Sequence, residues 1–327
     1  MHPAQSPKER AMIAPALDLT VIISSYNTRV LLRNCLQSIY RYTQGISFEI
    51  ICVDDNSSDG SADMVSEIFP QVILFRNQVN ELYARNQNRG MGASRARYAC
   101  LLDSDTLLKG NAFKALVEFM DEHPEAAVCA PKLLNLDDTV QHCVRGFPGA
   151  GVFLLQAVNW HKLFPRSALM NRYYNTDFDY SKAQAVDSIG TSAYVIRRAT
   201  WENAGMLDER FRLALVDLAY NYRLRQKGYK VYYTPCAEVI HLGSQSINQD
   251  PRASLRDQRR ALIAFSEGYD YFGKSAVTKA VVRAAVRLRY CIKVLEYRFS
   301  SDKRVIKGPG APSREQAARA ALLRNSE

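Results

Sequence analysis

The sequence predicts an α/β fold, a mostly parallel sheet flanked by helices, followed by a helical extension at the C-terminal end. Three observations predict it. Short β-branched runs alternate with amphipathic stretches from Leu19 to His241, the order that βαβ units impose. The strand runs are continuously apolar rather than alternating, as in strands covered on both faces. After Gln245 the pattern changes to long basic stretches with helical spacing.

Leu19-Thr20-Val21-Ile22-Ile23-Ser24 is short, β-branched and bounded by turn-prone residues, so it opens the sheet. Residues 29–42 carry helical spacing, with Leu32, Leu36 and Ile39 on one side. Phe48–Val53 is the second strand and runs into Asp54-Asp55-Asn56-Ser57-Ser58-Asp59-Gly60, where Ser58 is placed to cap a helix through Met64, Val65 and Ile68. Val72–Phe75 is a third strand, residues 83–96 a helix, and Tyr98–Leu102 the fourth strand. A helix over Ala112–Met120 and a strand over Ala126–Ala130 follow. Residues 143–183 are irregular and aromatic, with Phe147, Phe153, Trp160, Phe164, Tyr173, Tyr174, Phe178 and Tyr180. They fit core packing under a long loop, and equally a lid or acceptor surface. Ala193–Ile196 is a strand, 216–226 a helix, and Lys230–Tyr233 and Ala237–His241 the last core strands. Residues 255–266 and 276–297 read as helices. In the second, Val277, Val281, Ala284, Leu288, Ile292 and Leu295 share a stripe, with Lys279, Arg283 and Arg287 opposite. Such a helix either lies in a membrane interface or docks its stripe on the domain.

The expected organisation is a loose leader over 1–16, a main domain over 17–246, a basic amphipathic extension over 247–300 and a disordered tail over 301–327. The leader lacks the apolar core of a signal peptide. The chain has 327 residues and a formal net charge of +10, with the basic excess concentrated after Arg252. That balance points to an anionic partner such as phosphate or an anionic membrane surface. No nucleic-acid motif is present, and no run of about 18 apolar residues spans a membrane. The seven cysteines are scattered without metal-ligand spacing, which suits a reducing cytoplasm.

Tyr98–Leu102 leads directly into Asp103-Ser104-Asp105. A strand ending in Asp-x-Asp sets two acids at the carboxyl edge of the sheet, where open α/β folds bind ligands. Carboxylates that close repel unless a cation lies between them, and hard oxygen ligands suit Mg²⁺ or Mn²⁺. Taken alone, the spacing also fits an acidic turn.

Three further features stand around it: Ser24-Ser25-Tyr26-Asn27 after the first strand, Asp54-Asp55 after the second, and Ala84-Arg85-Asn86 opening a helix. In this order and spacing, from about Leu19 to Ser246, the chain resembles the family 2 glycosyltransferases of GT-A fold. Pro131-Lys132-Leu133-Leu134, Asp208-Glu209-Arg210-Phe211 and Arg223–Tyr229 resemble the bacterial rhamnosyltransferase-like branch. The resemblance implies an inverting, metal-dependent transfer of sugar from a UDP- or dTDP-sugar to a hydroxyl of a saccharide or lipid-linked glycan, in bacterial surface polysaccharide synthesis. It implies that Ser24, Tyr26 and Asp55 surround the pyrimidine base with Asp54 nearby. Arg85 approaches the base or diphosphate. Asp105 is the main ligand of Mn²⁺ or Mg²⁺, assisted by Asp103 from the diphosphate side. Asp217 is the general base, and His241 approaches the metal or diphosphate. The expected location is the cytoplasm, peripheral on the inner face of the membrane through residues 276–297.

The chain departs from the family at three places. The usual Glu-Asp pair reads Val216-Asp217, the acid two residues after the base is Ala219, and the branch's glycine-rich stretch reads Ala84-Arg85. Without those acids Asp217 lacks like-charged neighbours that raise a base pKa, so a weaker base is expected. Two alternatives follow: a non-catalytic nucleotide-sugar-binding protein, suggested by Val216 and Ala219, and a sugar nucleotidyltransferase. The latter is disfavoured because Ser24–Thr28 is no glycine-rich phosphate loop.

Overall fold

The computed structural model describes residues 17–149, 151–152, 168–243, 250–269 and 275–299. The first strands are β1 (Leu17–Ser25), β2 (Phe48–Asp54), β3 (Ile73–Arg76), β4 (Ala96–Asp103), β5 (Thr106–Lys109) and β6 (Ala126–Leu134). Among them run helices α1 (Arg29–Tyr42), α2 (Ser61–Ile68), α3 (Tyr83–Ala93) and α4 (Ala112–Glu122). Short pieces follow: β7 (Val144–Arg145), α5 (Ala168–Tyr174), β8 (Gln184–Val186) and β9 (Ser188–Ile189). Then come β10 (Ala193–Arg197), α6 (Arg198–Ala204), α7 (Val216–Gln226) and β11 (Lys230–His241), with α8 (Pro251–Gly268) and α9 (Ala276–Phe299) last.

Among the described residues the main sheet has nine strands in the order β3-β2-β1-β4-β10-β6-β11-β5, with β8 also on β11. The β1–β2, β2–β3, β1–β4 and β6–β11 pairs are parallel, while β10, β5 and β8 pair antiparallel. The mostly parallel sheet expected from the sequence is therefore present. Chain order runs outward from β1 through β2 to β3 and then returns to β4 on the other side of β1, so a switch point lies between β1 and β4.

Side-chain alternation divides the apolar residues between two faces. Leu19, Val21 and Ile23 of β1, with Tyr98, Cys100 and Leu102 of β4, pack under α1, α2 and α4. Ile22, Ala99 and Leu101 pack with α3, α6, α7 and α8 on the other face. This two-sided burial explains the continuous apolar strands. Gly90 lets α3 approach β1 closely, because a Cβ there would lie 2.2 Å from Ile22 Cγ2. Arg197 and Arg198 fasten one helix on each face. Arg197 Nη2 donates to the Met120 and His123 carbonyls at the end of α4, at 2.6 and 3.1 Å. Arg198 donates to the Ser94 and Ala96 carbonyls beyond α3, each at 2.8 Å.

Several expectations need correction. Ser58 does not cap α2; the Asp59 carboxylate accepts from Ser61 N at 3.0 Å and from Arg29 N at 2.9 Å, tying the starts of two helices together. β5 was not expected, because four residues after an acidic turn carry too little periodicity. The two expected terminal strands are one, β11, with a register shift between Tyr233 and Glu238. In α9 the buried residues are Val282, Ala285 and Val286, packed toward Leu262 and Ile263 of α8. The stripe of Val277, Val281, Ala284, Leu288 and Leu295 is exposed instead. Phe178 and Tyr180 pack edge to face on Tyr233, whereas Phe153, Trp160 and Phe164, the leader and the tail lie outside the described residues.

Candidate active site

The carboxyl ends of β1, β2 and β4 meet at one edge. Ser24 pairs in register with Val53 and Asp103, and Ser25 with Asp54. Asp103-Ser104-Asp105 turns there with its middle side chain inward. Ser104 Oγ shares a hydrogen bond with Thr28 Oγ1 at 3.0 Å, which shares another with Ser25 Oγ at 2.9 Å. Thr106 Oγ1 donates to the Asp103 carbonyl at 2.7 Å.

β11 delivers His241 opposite the turn, pairing with Thr106, and Leu242 N donates to the Asp105 carbonyl at 2.9 Å. His241 Nε2 lies 3.5 Å from Asp105 Oδ1 and 3.6 Å from Asp103 Oδ2. One ligand atom from each of Asp103, Asp105 and His241 falls within 4.8 Å of the others. Gln141 sets the ring. Its amide nitrogen donates to Asn135 Oδ1 and the His241 carbonyl at 3.1 and 3.3 Å, so its oxygen faces His241 Nδ1 at 2.6 Å. Nδ1 is then the donor, and a neutral ring turns the Nε2 lone pair to the carboxylates. Withdrawal from water and the adjacent Asp105 charge push the Asp103 pKa up to about 6. Burial works to lower the His241 pKa, but Asp105 and Asp103 outweigh it and raise it above the ordinary value. Two carboxylates and one imidazole fit Mn²⁺ or Mg²⁺ in chemistry and in spacing.

The two acids after β2 have different environments. Asp55 accepts from Asn77 Nδ2 at 2.9 Å and from the Glu81 and Leu82 backbone N–H groups at 2.7 and 2.9 Å. It braces the loop into α3, where Leu82 has φ 68°, a conformation unusual for a residue with a Cβ. Asp54 Oδ2 accepts from Ser57 N at 3.0 Å, while its buried Oδ1 has no hydrogen-bond partner among the described residues. Tyr26 stands half-buried in the turn after β1.

α3 turns Asn86 inward and Arg85 outward. Asn86 Nδ2 donates to Ser24 Oγ at 3.0 Å, and its oxygen accepts from Asn77 Nδ2 at 2.7 Å. Arg85 Nε donates to Glu209 Oε2 at 3.1 Å, and its Nη1 lies 3.5 Å from Glu81. Arg89, one turn after Arg85, reaches Asn77 Oδ1 and lies 4.5 Å over the Phe75 ring. Nothing in the sequence points to Asn77, Arg89 or Gln141. The Arg85-Asn86 pair was noticed, but the spacing did not tell which of the two faces the sheet.

Asp217 lies in the first turn of α7, and its Oδ1 accepts from Leu218 N at 2.8 Å. Burial raises its pKa, against the backbone hydrogen bond and the Arg145 guanidinium, which lower it. Val216 and Ala219 are buried in the apolar cluster around α7. Desolvation, rather than neighbouring acids, is the cause of the raised Asp217 pKa. Asn221, one turn later, holds α7 to the Ser188 Oγ and Ile189 carbonyl at 3.0 Å each. Tyr83 donates its hydroxyl to the Thr191 carbonyl at 3.3 Å, and burial above all, with the charges of Asp103 and Asp217 adding to it, raises its pKa.

The sequence model for glycosyl transferase family 2 matches residues 20–188. An N-acetylglucosaminyl-diphospho-decaprenol L-rhamnosyltransferase of Mycobacterium tuberculosis is 22% identical over 303 residues, covering 88% of this chain and 97% of the relative. The minor teichoic acid biosynthesis protein GgaB of Bacillus subtilis is 30% identical over 110 residues, 32% of this chain and 12% of the relative. Among solved structures, GalNAc-T7 with UDP, GalNAc and Mn²⁺ superposes with a TM-score of 0.52 at 16% identity, covering 88% of this chain. This chain spans 58% of that one, and the likeness is one of fold.

Proposed function

Because this chain belongs to glycosyl transferase family 2, we propose that it transfers a sugar, with inversion, from a UDP- or dTDP-sugar to a hydroxyl of a saccharide or lipid-linked glycan. The product is an intermediate of bacterial surface polysaccharide. Residues 17–246 form the catalytic unit and 247–300 its extension. The observation that carries this reading is the convergence of Asp103, Asp105 and His241 within 4.8 Å at the switch-point edge. The M. tuberculosis relative, named for a lipid-diphosphate acceptor, supports the choice of acceptor.

Asp103, Asp105 and His241 would hold Mn²⁺ or Mg²⁺, which when bound supplies Lewis-acid stabilisation of the leaving diphosphate. Asp54, whose buried Oδ1 has no partner among the described residues, would accept the imide N–H of a pyrimidine if the turn at Ser57 opens to the ligand, whereas the Asp55 carboxylate braces the loop. Ser24 and Tyr26 line the same edge. Arg85 reaches the diphosphate only by leaving Glu209 and Glu81. Asp217 accepts the proton of the acceptor hydroxyl as that oxygen attacks the anomeric carbon. The bond from that carbon to the diphosphate oxygen breaks on the opposite face, its electron pair leaving with the diphosphate. One displacement inverts the configuration.

The test is a screen of UDP-, dTDP- and GDP-sugars with Mn²⁺, first by thermal shift and then by release of nucleoside diphosphate in the presence of glycan acceptors. A donor that stabilises the fold and is consumed only with acceptor supports the reading. Failure of every donor to bind or react overturns it.

A further inference from the structure

The exposed face of α9 has no partner among the described residues, although the helix is 24 residues long, about 36 Å at 1.5 Å per residue. Val277 is 73% exposed, Val281 46%, Leu288 49%, Leu295 53% and Phe299 80%. Their spacing of four and seven places them on one side, opposite the Val282 and Val286 contacts with α8. Isolated exposed apolar residues are ordinary, but a continuous stripe of them marks an interaction surface. The same helix carries six cations, Lys279, Arg283, Arg287, Arg289, Lys293 and Arg298, and one acid, Glu296, which pairs with Lys293 at 2.9 Å. At 100° per residue, the exposed Arg287 and Arg298 run along one edge of the stripe, while Arg283, further round, pairs with Glu267 of α8 at 3.1 Å. The helix is not apolar enough to cross a bilayer.

We propose that α9 lies in the plane of an anionic lipid surface, with the Val277-to-Phe299 stripe in the acyl boundary and the edge arginines at the headgroups. Charge complementarity selects this occupant. A protein partner would be expected to leave fewer cations beside the apolar contact, since charged residues are depleted at interface cores. An amphipathic helix with basic residues along its apolar stripe is built for the acyl–headgroup boundary, where long cationic side chains extend to the phosphates. The inference is independent of the transfer reaction, because lipid binding needs neither donor nor metal. Were both correct, the site would work beside the surface that carries a lipid-linked acceptor.

The experiment is co-sedimentation of the full chain with vesicles of phosphatidylcholine alone and of phosphatidylcholine mixed with phosphatidylglycerol. Binding is expected to the anionic vesicles only. The double variant Leu288→Glu/Leu295→Glu and the pair Arg287→Glu/Arg298→Glu should each lose at least about tenfold in partitioning, the change that about 1.4 kcal/mol produces. Both should melt with the wild type, since the four side chains are exposed. Absence of binding to anionic vesicles overturns the proposal, as does unchanged binding by the leucine variant. A dimer in light scattering that the leucine variant dissolves, without vesicle binding, assigns the stripe to a second copy. Vesicle binding that appears only after deletion of residues 301–327 assigns it to this chain's own tail. Either result also overturns the proposal.

Discussion

Replacing Gln141 by Leu separates the positioning of His241 from the presence of its imidazole. Gln141 is 6% exposed, and its amide makes three contacts: to Asn135 Oδ1, to the His241 carbonyl and to His241 Nδ1. Leucine fills a similar volume but neither donates nor accepts. The two lost donations, at about 1 kcal/mol each, and the unpaired Nδ1–H predict a stability loss of about 2–4 kcal/mol. A ring free to turn no longer presents Nε2 to the two carboxylates. Loss of an outer partner of a histidine ligand lowers metal affinity by about 10–100-fold, or about 1.4–2.8 kcal/mol. Gln141→Glu supplies the contrast: it loses the donations yet keeps an acceptor for Nδ1–H, so it should melt lower while holding the metal at least as tightly. The assay is calorimetric titration of Mn²⁺ into each folded variant, with thermal melts alongside. Equal Mn²⁺ affinity in Gln141→Leu and the wild type refutes the reasoning. Equal loss in both variants does so too, because stability alone would then explain the effect.

Gly90→Ala should destabilise by about 1–3 kcal/mol, since its new methyl group meets Ile22 at 2.2 Å; a wild-type urea midpoint would show that α3 yields freely. Asp55→Ala removes a charged acceptor from two backbone N–H groups and Asn77, so a loss of about 3 kcal/mol or more is expected along with weaker nucleotide binding. Unchanged melting would show the brace to be idle. Asp217→Asn should abolish transfer but retain nucleotide binding, and full activity would exclude Asp217 as the base. Because burial raises the Asp217 pKa, transfer should fall as pH drops through a value above that of an ordinary aspartate. The sign for stability is opposite. Between the unfolded and folded pKa values the folded chain binds more protons, so this residue stabilises the fold as pH falls and penalises it when ionised. Asp217→Asn should therefore melt no lower than the wild type at neutral pH; a clear drop would mean that the ionised carboxylate is favourable in the fold.

The sheet was readable because β1, β2 and β4 are buried on both faces, which forces continuous apolar runs onto the sequence. The turn after β4 was readable for a related reason: two acids directly after such a run have few structural uses. What escaped depends on long-range pairing. β5 has four residues, and its place is set by β11 rather than by its own pattern. Gln141 looks like any loop polar residue until His241 is seen beside it. Asp54 and Asp55 are indistinguishable as neighbours in sequence, yet the loop from Asn77 to Leu82 grips the Asp55 carboxylate and meets Asp54 through its main-chain carbonyl. The stripe on α9 was correctly grouped by its spacing. Periodicity marks an apolar face without naming what covers it, and in α9 the narrower set Val282, Ala285 and Val286 forms the contact with α8.

The pairing of His241 with Thr106 also bears on how the enzyme is made. A nascent chain that has completed β4 already carries Asp103 and Asp105, but its third candidate ligand is still untranslated. Only when β11 inserts between β6 and β5 does the imidazole reach the acids. A premature stop anywhere before that strand leaves a chain with only two of the three residues of the cluster. The arrangement makes the last core strand a completion check: the three-residue station forms only in a chain whose sheet has closed.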